Sequence, residues 1–126
     1  MVNGTDVLVV AADDDADIRA LIVGKLAGAG LAVTAVDDGS SALSAVREHH
    51  PSLAILDITM PGLTGLQVTK AIKDDSSTSD IAVMLVSALS SDDDLARGRE
   101  AGADDYLTKP FSPRELLERV QRLISA

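Results

Sequence analysis

Short aliphatic blocks recur along the chain and alternate with stretches of helical spacing. Val7-Leu8-Val9-Val10-Ala11-Ala12, Leu53-Ala54-Ile55-Leu56 and Ile81-Ala82-Val83-Met84-Leu85-Val86 are unbroken apolar runs. With two weaker blocks they predict strands starting near residues 6, 31, 52, 81 and 104, each of the kind buried on both faces. Ile18, Leu21, Ile22 and Leu26 space a first helical stripe, ended by Gly28 and Gly30. Ala42, Leu43 and Val46 mark a second helix that must stop before Pro51, because the residue ahead of a proline is pushed out of the helical region. Residues 66–73 predict a short third helix. Residues 92–100 predict a fourth, with Ser90 or Ser91 as N-cap and three Asp in the first turn to favour its dipole. The fifth opens on Ser112-Pro113-Arg114-Glu115, a capping box with Pro at the first helical position. Leu116, Leu117, Val120, Leu123 and Ile124 continue it as an apolar stripe. Strict βα alternation predicts an α/β fold, a three-layer sandwich around a five-stranded parallel sheet. Residues 1–126 read as one domain, and residues 74–80 as a polar, mobile loop.

Composition narrows the function classes. With one Tyr, one Phe and no Trp, the core must be aliphatic, which argues against modules that stack bases on exposed rings. A net charge of −9 disfavours direct nucleic-acid binding and anionic membrane surfaces. Without Cys there are no disulfides or thiolate metal sites. The first residues lack the basic and apolar regions of a leader, and no run reaches the ~18 apolar residues of a spanning helix. These features are the expectation for a cytoplasmic chain with no membrane partner.

Chemistry-bearing residues sit at the ends of the strand-like runs. The first run meets Asp13-Asp14-Asp15, the third meets Asp57, the fourth meets Ser87, and Asp105-Tyr106-Leu107-Thr108 meets Lys109-Pro110. In an open parallel sheet the carboxyl ends of the strands share one edge, and ligands bind there. Carboxylates, a hydroxyl and an ammonium converging on that edge suit a divalent cation and a phosphoryl group. Each residue also has a plainer account. Asp57 can cap a turn, Asp15 serves as N-cap of the first helix, Ser87 can satisfy a loop amide and Lys109 can be a surface lysine. Their joint placement distinguishes the two accounts, because Asp13 and Asp14 repel one another unless something neutralises them. His49-His50 reads as exposed surface. Gly62-Leu63-Thr64-Gly65 lacks the Lys-Ser/Thr of a phosphate loop and reads as a strand-to-helix turn.

The combined pattern resembles the receiver domain of two-component response regulators. The pieces that carry it are Val9 to Arg19 (an acidic pair, then Asp-Ile-Arg), Leu56-Asp57-Ile58-Thr59-Met60-Pro61-Gly62 with Gly65, Ser87-Ala88, and Gly102 through Phe111. The resemblance spans essentially the whole chain, and it implies a flavodoxin-like sheet in the order 2-1-3-4-5, for which a member of this family is a standing example. It implies Asp57 as phosphoacceptor and Mg2+ (or Mn2+) held by Asp14 directly, by Asp13 through water, by Asp57 and by the Thr59 carbonyl. Ser87 and Lys109 would contact the phosphoryl group, the bond before Pro110 would be cis, and Tyr106 would be the aromatic switch on the fifth strand, with Ser87 as the other switch residue. The implied partners are a sensor histidine kinase or phosphotransfer protein and a downstream output domain or protein. Such a domain is not an enzyme in its own right; it assists only its own phosphorylation and dephosphorylation.

Thr59 and Leu89 occupy positions that in the family influence how water reaches the acyl phosphate, and neither can orient water as an acid or amide would. Slow self-dephosphorylation is the expectation. The last third is similar to receivers that precede winged-helix DNA-binding domains, and Asp104, Asp105, Glu115 and Arg119 match charges those receivers use to dimerise on phosphorylation. Leu95 stands where a basic residue is frequent. The chain is compatible with a stand-alone receiver or a piece of a longer regulator. Three other classes compete with this assignment. A haloacid-dehalogenase phosphohydrolase wants an acid where Thr59 stands. A flavodoxin wants a hydroxyl-rich phosphate loop where Asp13-Asp14 stands. A degenerate receiver would lack key side chains that are all present here.

Overall fold

The computed structural model describes residues 7–125. Five strands and five helices alternate: β1 (Leu8–Ala12), α1 (Ala16–Gly28), β2 (Ala32–Val36), α2 (Gly39–His49), β3 (Leu53–Asp57), α3 (Gly65–Asp74), β4 (Ala82–Ser87), α4 (Asp92–Ala101), β5 (Asp105–Thr108) and α5 (Pro113–Ser125). All strand pairs are parallel and the sheet order is β2-β1-β3-β4-β5, as expected. The expected strand start near residue 6 lies outside the described residues.

Period-two alternation sorts the strand residues between two cores. Val9, Ala11, Leu53, Ile55, Met84, Val86 and Leu107 pack with Ile22 and Leu26 of α1 and with Leu116 and Val120 of α5. Val10, Ala12, Ala54, Leu56, Val83 and Leu85 pack with the apolar faces of α2 and α3. Every residue of β3 is buried. The edge strands β2 and β5 are only partly buried, contrary to the uniform expectation, because each has a neighbour on one side only.

Local chemistry explains the helix boundaries. Asp15 caps α1, its carboxylate accepting from the amides of Asp17 and Ile18. Ser91, not Ser90, caps α4, and forms with Asp94 a reciprocal box. Thr64 and Gln67 form another at α3. The box expected at α5 is half formed. The Glu115 amide donates to Ser112 Oγ at 3.0 Å, but the Glu115 carboxylate turns to Arg119 instead. Helix α2 ends with His50 in the left-handed region at φ 46°, and both His49 and His50 are exposed.

Two expectations are corrected. Of residues 74–80, Asp74 closes α3 and 75–80 form a hydrogen-bonded turn: the Asp75 carboxylate accepts from the amide and hydroxyl of Ser77, and the buried Thr78 hydroxyl donates to the Ile72 carbonyl. Ile81 belongs to that turn rather than to β4, its amide donating to the Thr78 carbonyl. Asp57 and Ser87 are the last residues of their strands.

Candidate functional site

The strands that carry the candidate residues all end at one edge of the sheet, and residue parity decides which side chains meet there. Asp13 continues the row Val9-Ala11, and Asp57 continues the row Leu53-Ile55, both on the α1/α5 face. Lys109 follows Leu107 in the same parity. Its ammonium donates to Asp13 Oδ2 at 2.9 Å and to Asp57 Oδ2 at 3.2 Å, closing a contact between three chain segments. Asp14 completes the group: the carboxylate oxygens of Asp13, Asp14 and Asp57 lie within 4.8 Å of one another. Asp13 and Asp57 are buried and Asp14 is exposed.

Ser87 continues the row Val83-Leu85 on the opposite parity. It stands at the same edge, one residue past the partner of Asp57, and its carbonyl accepts from the Lys109 amide. Its buried hydroxyl accepts from the Leu89 amide at 3.1 Å. Thr59 is exposed on the loop after β3, where its amide donates to Asp57 Oδ1 at 3.3 Å. Gly65 keeps that loop close, since a Cβ there would lie 2.2 Å from the Asp57 carbonyl oxygen. The Lys109–Pro110 bond is cis.

Electrostatics give the cluster its character. Burial pushes the Asp57 carboxyl above the usual aspartate range, and the Asp13 charge adds to this, against the pull of Lys109 and the Thr59 amide. Burial disfavours the Lys109 charge, but its hydrogen bond to Asp13 and the charges of Asp57 and Asp13 outweigh that, and its pKa rises. One ammonium faces three carboxylates, leaving negative charge in excess. Every side-chain donor is a hard oxygen, and Asp14 has no hydrogen bond or ion pair among the described residues. This donor set fits Mg2+ or Mn2+ and not a soft metal.

Tyr106 lies on β5, half-buried against α4, with a ring carbon 2.9 Å from where a Cβ on Gly98 would stand. Its hydroxyl donates to the Leu89 carbonyl, on the loop that follows Ser87. Burial raises its pKa, the nearby Ser87 hydroxyl lowers it, and the charges of Asp94 and Asp57 raise it again. The β4–α4 loop therefore touches both Ser87 and Tyr106.

Several contacts were not legible in the sequence. Arg19 Nη1 donates to the Asp13 carbonyl at 2.8 Å. Asp104, matched by resemblance to a dimer contact, accepts from Lys73 at 2.9 Å and from the Val83 amide at 2.8 Å. Asp105 and Glu115 both pair with Arg119 of the same chain, at 2.9 and 3.3 Å. These partners are 4 to 31 residues apart in sequence, and only the helix pair 115/119 has a spacing that signals contact.

No helix among the described residues is long and apolar enough to cross a membrane. Residues 8–121 match the family model described as a response regulator receiver domain. The chain is 38% identical over 116 residues to the phosphate regulon transcriptional regulatory protein PhoB of Escherichia coli, covering 92% of this chain and 51% of that protein. It is 37% identical over 113 residues to the DNA-binding response regulator MtrA of Mycobacterium tuberculosis, covering 90% and 48%. The chain thus spans about half the length of these curated relatives. Among solved structures, the chemotaxis response regulator CheY4 of Vibrio cholerae superposes with a TM-score of 0.88 at 31% identity, covering 93% of this chain and 98% of that one. A strand order of 2-1-3-4-5, an acidic triad bridged by a lysine at the carboxyl edge, and a family match across residues 8–121 have one common account: the chain belongs to the response regulator receiver domains of two-component systems.

Proposed function

We propose that Asp57 accepts a phosphoryl group from a phosphohistidine on a sensor kinase or phosphotransfer protein, with Mg2+ or Mn2+ held by Asp13, Asp14, Asp57 and the Thr59 carbonyl. The observation that carries this reading is Lys109 bridging Asp13 and Asp57 inside an acidic triad. An Asp57 oxygen attacks phosphorus, the phosphorus–nitrogen bond breaks, and its electron pair leaves on the imidazole. The bound cation would offset the repulsion between carboxylates and phosphoryl oxygens. The Lys109 ammonium shifts from Asp57 to a phosphoryl oxygen, and the Ser87 hydroxyl donates to another, both as donors already at the site edge.

The same residues suggest the output. Phosphorylation adds up to about two negative charges beside Lys109 and Ser87. A pull on Ser87 is felt by the β4–α4 loop, because Leu89 contacts Ser87 through its amide and Tyr106 through its carbonyl. Tyr106 in turn packs against Gly98 of α4. The face of α4, β5 and α5 therefore changes its preference between partners as a population shift. The relatives PhoB and MtrA are named as a transcriptional regulator and a DNA-binding regulator. An output domain or protein acting through this face is the corresponding reading here. Phosphorylation-dependent pairing of two chains would require Asp105 and Glu115 to exchange their Arg119 for that of a second copy.

The test is incubation with acetyl phosphate and Mg2+ followed by intact mass. One added phosphoryl group, lost in Asp57→Asn and in EDTA, is the expected result. An unchanged mass in the parent chain rejects the phosphoacceptor reading and leaves a constitutive interaction module.

A further inference from the structure

We propose that Arg19 is a positioning residue for cation binding: it fixes the peptide that aims Asp14 at the site. The inference rests on the cation-binding reading above and concerns a residue outside the acidic triad. Asp13 is held on every polar atom. Its amide donates to the Val36 carbonyl at 3.2 Å, Oδ1 accepts from the Asp15 amide at 2.9 Å, Oδ2 accepts from Lys109, and the carbonyl accepts from Arg19 Nη1 at 2.8 Å. The first three contacts hold the residue itself. The fourth is different, because the Asp13 carbonyl belongs to the peptide plane that joins Asp13 to Asp14.

Asp14 is exposed and its carboxylate has no partner among the described residues, so its placement depends on the two peptides that flank it: the Asp13–Asp14 peptide held by Arg19 and the Asp14–Asp15 peptide whose amide donates to Asp13 Oδ1. Repulsion from Asp13 and Asp57 favours its swinging outward into solvent. The Arg19 contact opposes this rotation from the first turns of α1, whose N-cap Asp15 accepts from the amides of Asp17 and Ile18. The guanidinium suits the role because it stays charged at all accessible pH and its planar fork loses little freedom on bonding.

The contact has a consequence opposite in sign to simple electrostatics. A positive charge beside a cation site weakens cation binding, so removing it should tighten the site. If Arg19 instead orients a ligand, removing it loosens the site, and outer-shell partners of metal ligands carry at least about ten-fold in affinity.

The experiment titrates Mg2+ into the parent chain, Arg19→Met and Arg19→Lys by calorimetry, with thermal unfolding of each in EDTA. Expected are Mg2+ binding roughly ten-fold weaker in Arg19→Met than in the parent, and partial recovery in Arg19→Lys, which keeps the charge and a donating group but not the planar fork. Equal or tighter binding in Arg19→Met overturns the proposal, as does a lowered melting temperature with the Mg2+ dissociation constant unchanged. Should Arg19→Met fail to fold, Arg19→Lys alone decides: intermediate affinity supports the role and parental affinity overturns it. A parent chain that takes no Mg2+ overturns the cation reading itself along with this one.

Discussion

Replacing Lys109 with Met keeps most of the aliphatic stem and removes the one ammonium among three carboxylates. At an effective dielectric of about 20, each ion pair at 2.9 and 3.2 Å has a gross Coulomb energy of about 5 kcal/mol. Desolvation cancels much of that, and the Lys109 side chain remains 20% exposed, so solvent screens it further. Breaking a buried pair from one side costs about 3–5 kcal/mol. Here the orphaned carboxylates can relax by taking up a proton, and the Asp14 side is open to water. We expect a loss of about 2 kcal/mol at neutral pH in EDTA, or roughly 6–10 °C in Tm for a chain of this size.

The pH dependence identifies the cause. In the parent, burial raises the Asp57 carboxyl, so between its unfolded and folded pKa values the folded state holds more protons, and stability falls as pH rises through that window. The raised Lys109 pKa works from the other side. Its contribution is full below the ordinary lysine value and is lost as pH rises through the folded one. Lys109→Met removes the pull that holds Asp57 down, so its carboxyl climbs further and the variant gains on the parent as pH falls. The deficit should shrink on acidification and also on adding millimolar Mg2+ at neutral pH. Urea unfolding across pH, with and without Mg2+, measures both. A deficit that is absent, or that stays constant with pH and Mg2+, would mean the lysine contributes packing only, and the electrostatic account of the site fails.

Thr64→Ala removes the hydroxyl half of the α3 capping box and should cost about 1 kcal/mol in urea unfolding; a loss below a few tenths would show that Gln67 alone holds that terminus. Gly98→Ala places a methyl group 2.9 Å from the Tyr106 ring and should push the ring outward. Tyr106 is the only tyrosine and there is no tryptophan, so intrinsic fluorescence reports it alone; acrylamide quenching should rise, and an unchanged quenching constant would show that α4 moves instead. With Thr59 exposed at the site and Leu89 following Ser87, phosphorylated chain should lose its label slowly in Mg2+, over minutes or longer; intact mass giving a half-life of seconds contradicts that.

Fold and chemistry were legible to different depths, and the particular residues show why. Local signals predicted all five helices, since a cap such as Ser91 or Ser112 and a stripe such as Leu116-Val120 are short-range facts. The uninterrupted apolar blocks ending in Asp13, Asp57 and Ser87 announced a buried parallel sheet with its chemistry at one edge, because only strands covered on both faces can be apolar throughout. The family motifs supplied the strand order, which no local pattern carries.

Contacts that bridge elements far apart in sequence were decided by the tertiary structure. Lys109 meets Asp13 across 96 residues and Asp57 across 52, because parallel register and residue parity bring those rows to one face. The same register turns Ser87 to the opposite parity, beside Leu89 and Tyr106. Asp104 accepts from Lys73 and from the Val83 amide, 31 and 21 residues away. A linear pattern specifies which residues are apolar and where helices begin. Which charges neutralise one another depends on distances of a few ångström, and those exist only once the layers are packed.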